Sequence, residues 1–97
     1  MGLEEDYQKL VDEQNSVKEA LKKELPEIRR TINWIIENEV HNRLYIEKTL
    51  DKLLKIIVFG AGNFEYYKLN NFYFTVFPQS SKKYKELYEK VSGKKYQ

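Results

Sequence analysis

The sequence predicts an α+β domain: two long N-terminal helices paired like a coiled coil, a small antiparallel β-hairpin and one short C-terminal helix. Three observations lead there. Leu3, Tyr7, Leu10, Gln14, Val17 and Leu21 follow alternating steps of four and three, the seam of a helix that packs on another helix. Apolar residues then keep helical spacing from Ile28 to Ile57. Beyond Gly62, two aromatic-rich hexapeptides, Phe64–Leu69 and Phe72–Phe77, flank the pair Asn70-Asn71.

The first predicted helix carries its charge off the seam, with Glu4, Glu5 and Asp6 in the first turn, where acids suit the helix dipole. Gln14 is the polar break that sets register between packed helices. Pro26 disfavours α geometry at Leu25 and removes one backbone donor, yet proline suits the first position of a new helix. The choice is between a tight helical corner and a kinked continuous helix, and a break with a short reversal is preferred.

The second predicted helix runs unbroken from Pro26. Ile28, Ile32, Ile35, Ile36, Val40 and Leu44 form one face, which Ile46, Leu50, Leu53, Leu54 and Ile57 continue. A second face carries Trp34, His41 and Tyr45 as a contact surface. Ile56–Phe59 reads either as the last turn before a Gly60 cap or as a third strand; the helical spacing of Leu50, Leu53, Leu54 and Ile57 favours the helix.

In the predicted hairpin, Asn70-Asn71 makes the turn, because asparagine tolerates positive φ. Leu69 then faces Phe72, Tyr67 faces Phe74 and Glu65 faces Val76. Pro78 stops the second strand, Ser80 or Ser81 caps the last helix, and Tyr84, Leu87, Tyr88 and Val91 form its buried face up to Gly93. The expected layout is one domain, 1–97: a helical part over 3–58, hairpin and closing helix over 64–92, and a flexible basic tail over 93–97.

At 97 residues the core is thin, and a partner covering apolar surface would help it. Cysteine is absent, which excludes disulfides, thiol chemistry and thiolate zinc sites. The longest apolar run, Ile56–Phe59, is far too short for a membrane span, and the acidic start lacks a basic-then-apolar leader. The expected location is therefore cytoplasmic. Charge is graded along the chain. Residues 1–27 hold four lysines against eight acids, residues 28–59 six bases against four acids, and residues 60–97 seven lysines against three acids, for net charges of −4, +2 and +4.

Lys55-Ile-Ile-Val-Phe-Gly-Ala-Gly-Asn-Phe64 looks like the turn of a dinucleotide site, but the third glycine position is Glu65 and an aromatic strand is expected to follow. His41 is the only histidine, so neither a metal site with Glu37 nor a Ser-His-Asp set has its other members. Arg29, Arg30, Arg43 and the tyrosines offer a nuclease-like composition with no distinguishing spacing. No catalytic, cofactor-binding or metal-binding residue is assigned. Lys82, Lys83, Lys85, Lys90, Lys94 and Lys95, interleaved with Tyr84, Tyr88 and Tyr96, are the candidate contacts for nucleic acid. Leu3, Tyr7, Leu10, Gln14, Val17, Leu21, Trp34 and Tyr45 are the candidate interface of a homodimer. The preferred function is a non-enzymatic protein-interaction or oligomerisation module; the alternative is a small nucleic-acid-binding regulator.

Overall fold

The computed structural model describes residues 16–96. Residues 16–23 are helical, and four helices follow: α1 (Leu25–Glu37), α2 (Arg43–Ile57), α3 (Asn63–Val76) and α4 (Pro78–Ser92). No strand occurs among the described residues, so the α+β class and its β-hairpin are corrected to an all-helical fold.

The segment expected to form the hairpin is α3, which runs straight through Asn70-Asn71. It buries Glu65, Tyr66, Leu69, Asn70 and Tyr73, a set with steps of three and four once the polar members are counted. α3 packs on α1, α2 and α4 together, making it the central element. A helix enclosed on several sides shows no single apolar stripe, and its aromatic residues imitate strand composition.

The predicted second helix is two helices. α1 ends at Asn38, whose N–H and side-chain Nδ2 both donate to the Trp34 carbonyl. Glu39 adopts φ of 48°, and the N–H groups of Glu39 and Val40 return to the carbonyls of Ile36 and Ile35. That is a left-handed C-terminal cap built without glycine. α2 restarts at Asn42, whose Oδ1 accepts the Tyr45 N–H at 3.0 Å. The four-residue spacing of Ile36, Val40 and Leu44 suggested continuity across this corner. The corner rotates Leu44 out of the core, where it is 78% exposed.

At Pro26 the chain keeps helical geometry. Glu24 has φ −76° and ψ −17°, and the Ile28 N–H donates to the Glu24 carbonyl. Pro26 sits in the first turn of α1, so the position is a helical corner and the preferred reversal is corrected. Ile56 and Ile57 end α2 as buried helical residues, as the spacing implied. Gly60 and Gly62 follow with φ of 84° and 86°, and the Gly62 carbonyl takes the first α3 bond, from the Tyr66 N–H.

Pro78 remains the punctuation, but it separates two helices. Phe77 leaves helical geometry, at φ −134° and ψ 75°, as the proline ring after it demands, and Pro78 opens α4 where its missing N–H costs nothing. Ser80 and Ser81 do not cap α4; Phe77 holds the cap position. The α4 inner face is Ser81, Tyr84 and Tyr88, while Leu87 and Val91 are exposed. Gly93 closes α4 with φ of 70°, as the sequence predicted.

The core has two parts. Ile28, Ile32, Ile35, Ile46, Leu50, Leu53, Ile56 and Ile57 form an aliphatic block from α1 and α2. Tyr66, Leu69, Tyr73 and Tyr88 from α3 and α4 complete it with the buried polar residues Asn70 and Ser81.

Candidate functional site

Two surfaces gather the residues singled out in the sequence. The first is the corner between α1 and α2. Trp34 faces outward from α1 and meets Tyr45, in the first turn of α2, edge-on with ring centroids 6.0 Å apart. The Asn38–Asn42 connection makes this meeting, since it returns the chain beside the outer face of α1. Trp34 is 52% exposed despite the contact, and Leu44 next to Tyr45 is more exposed still. His41 belongs elsewhere: its ring packs against Phe72 at 6.5 Å, away from the predicted Trp34–Tyr45 face. Of the other predicted interface residues, Val17 is exposed and Leu21 is half-buried against the core. Leu3, Tyr7, Leu10 and Gln14 lie outside the described residues.

The second surface is where α3, α4 and the segment after Gly93 converge. Ser81 lies 3.0 Å from both the backbone oxygen and the side-chain Oδ1 of Asn70, while Asn70 Nδ2 donates to the Ser81 carbonyl at 3.3 Å. This closed exchange satisfies two buried polar side chains at once. The Tyr96 backbone N–H donates to Glu89 Oε2, and its hydroxyl donates to Asn71 Oδ1 at 2.8 Å, fixing the tail across α3. Tyr96 thus belongs to the fold, in contrast to the loose tail expected over 93–97. Lys82 and Lys85 stand on α4 beside this junction, with Lys85 Nζ 5.8 Å from the Tyr96 ring centre. Lys83, Lys90, Lys94 and Lys95 are exposed, and the structure does not draw all six lysines to one point.

Tyrosines tie this half together. The Tyr67 hydroxyl donates to that of Tyr88 at 3.0 Å, and the Tyr66 hydroxyl donates to the Tyr84 carbonyl. Tyr73 donates to Glu47 Oε2 at 2.6 Å and Tyr84 to Asp51 Oδ1 at 2.9 Å, so both clamp onto α2 through carboxylates. Burial, reinforced by the Glu47 carboxylate, pushes Tyr73 up to about 12. Burial and the Asp51 carboxylate push Tyr84 up as well. Tyr66 and Tyr96 are raised, mainly by burial. These are neutral structural phenols at ordinary pH.

The glycine turn resolves differently from its first reading. A helix does follow Gly62, correcting the expected strand, but a helix also precedes it, so the strand that a dinucleotide turn requires is missing. Glu65 enters the first turn of α3 and pairs with Arg29 of α1 at 2.9 Å. Its side chain is 11% exposed, so the guanidinium offsets an otherwise costly buried carboxylate. No group of three or more His, Cys, Asp or Glu residues stands together among the described residues. No helix among them is long and apolar enough to cross a membrane. No protein-family model, curated protein or solved structure matches the chain.

Proposed function

We propose that this chain is a non-enzymatic interaction module that self-associates, with Trp34, Leu44 and Tyr45 at the centre of the contact between copies. The observation that carries the reading is the Trp34–Tyr45 pair: two large rings held against each other, with the indole half in solvent. Tryptophan and tyrosine dominate the energetics of protein interfaces because they bury much area with few rotatable bonds. Leu44 adds an aliphatic surface that the fold leaves uncovered. A second copy is favoured as the occupant because the chain is complementary to itself: its first 27 residues carry −4 and its last 38 carry +4. The apolar spacing from Leu3 to Leu21 extends the same reading into the N-terminal region.

Trp34 is the only tryptophan, so its emission reports on the contact directly. At micromolar concentration the expected result is a dimer by sedimentation, with blue-shifted emission that moves to the red on dilution. Leu44→Asp should shift the equilibrium toward monomer by about 30-fold, the size of a central interface residue at ~2 kcal/mol, with helix content unchanged. A monomer at every concentration, with emission indifferent to dilution, rejects the reading.

A further inference from the structure

Between α3 and α4 lies a cleft of about 190 Å³. Its floor is the closed Asn70–Ser81 pair, which needs no ligand to satisfy it. Its walls are of two kinds. On the α3 side stands Phe74, an aromatic residue left 52% exposed. On the α4 side stand Lys82 and Lys85, three residues apart and therefore on one helical face.

The two ammonium groups take part in no ion pair among the described residues. The reason is local. Of the three acids in residues 60–97, Glu65 is committed to Arg29 and Glu89 to the Tyr96 backbone, leaving only Glu86 one turn beyond Lys82. Lys85 is steered by the Tyr96 ring, and the Tyr96 hydroxyl is in turn anchored on Asn71 at the cleft's edge. The result is a half-exposed ring, two cations outside any ion pair among the described residues and an amide, all lining one opening.

From this combination we infer that the cleft binds one nucleotide unit of a single-stranded nucleic acid, its base against Phe74 and its phosphates on Lys82 and Lys85. Stacking on an aromatic ring beside a basic wall is how single strands are held without sequence reading. Size favours a single base: pockets enclosing drug-sized molecules run to ~300–1,000 Å³, well above this cleft. Duplex DNA hides its base faces and has no use for Phe74. The inference does not depend on self-association, since the Trp34–Tyr45 patch uses other residues.

The test is fluorescence anisotropy of labelled deca-thymidylate and deca-uridylate with the full chain at low salt, repeated across a salt series. Binding is expected, and Phe74→Ala should weaken it about tenfold or more, the effect of losing one stacked base. Lys82→Gln with Lys85→Gln should flatten the log–log salt slope by ~1.4, two phosphates at ~0.7 each. Lys52→Gln on α2 is the control and should change neither by more than the other surface lysines do. All these side chains are exposed, and circular dichroism checks that the variants remain helical. Adenosine monophosphate, titrated against the labelled strand, should compete only weakly, because it offers a single phosphate; competition as tight as the oligonucleotide's, per site, would make the ligand a free nucleotide and overturn the single-strand assignment. No anisotropy change at low salt overturns the inference. So does binding that is equal for duplex DNA and unaffected by Phe74→Ala, which would reduce the site to a lysine surface.

Discussion

The two halves of the core are built from different chemistry. Around α1 and α2 the buried side chains are isoleucine and leucine apart from Thr49; around α3 and α4 they are three tyrosines and Leu69, with asparagine, serine and the paired Glu65. Aliphatic packing is non-directional, and its strength follows area and fit. A tyrosine core gains comparable area, but every hydroxyl taken from water needs a partner at a fixed place. In this protein those partners are the carboxylates of α2, a backbone carbonyl of α4 and another hydroxyl. The α3–α4 half is therefore the more specific half, and the one that responds to pH.

The contrast can be broken most strongly in the aliphatic half. Leu53 is fully buried, and Gly62 passes close enough that a Cβ there would stand 3.4 Å from it. Leu53→Ala should cost about 2–5 kcal/mol in urea unfolding and lower the melting temperature by roughly 10 °C or more. A loss below ~1 kcal/mol would mean that the aliphatic block contributes little to the packing.

Asn70→Ala tests the polar half. It leaves the Ser81 hydroxyl buried without its Asn70 side-chain partner, and should cost about 1–3 kcal/mol. Combined with Ser81→Ala, the loss should fall short of the sum of the single losses by ~0.5 kcal/mol or more, because the two side chains serve each other. Strict additivity would show that the exchange contributes nothing as a pair.

The smallest effect at neutral pH, and the sharpest discriminator, is alkaline. Tyr73 is raised in the folded state to about 12, against ~10 in an unfolded chain. Its contribution is therefore full below pH ~10 and is lost as pH climbs through about 12, since only the unfolded state ionises freely in that window. Tyr84, raised on the same side by burial and Asp51, steepens the decline. Tyr73→Phe should cost about 1 kcal/mol at pH 7 and flatten the fall above pH 10. Stability that stays level from pH 9 to pH 12 in the parent chain would contradict the buried-phenol account.

The same contrast explains what could be read from the residues alone. Ile28, Ile32, Ile35, Leu50, Leu53 and Ile57 are visible as core because apolar periodicity is the signal that pattern reading detects. α3 escaped because its buried face contains Glu65 and Asn70, which count as breaks, and its aromatics count toward strand. The steps joining Tyr66, Leu69, Asn70 and Tyr73 are helical, a pattern that emerges once a paired asparagine is admitted to the core. The α1–α2 corner escaped for the opposite reason, because accidental spacing bridged it. Asn42 was its readable mark, as an N-cap three residues before the amide it binds. Of the surface candidates, Trp34 and Tyr45 do meet, but across the corner between two helices and with His41 against Phe72, where the spacing predicted one face of a single helix. Phe74 and Asn71 were missed as neighbours of Lys82 and Lys85, because a hairpin would have set them elsewhere.

Local sequence sufficed wherever the cause is local. Pro78 interrupts the chain because its ring disfavours helical geometry at Phe77; Gly93 accepts a left-handed cap; most of the aliphatic stripe faces inward, Leu44 excepted. Packing settled what depends on neighbours distant in the chain. Whether Phe64–Phe77 is strand or helix turned on enclosure by α1, α2 and α4, since a segment covered on several sides need not be amphipathic, and a helix satisfies its own backbone hydrogen bonds where a lone two-stranded hairpin leaves the N–H and C=O groups along both outer edges unpaired.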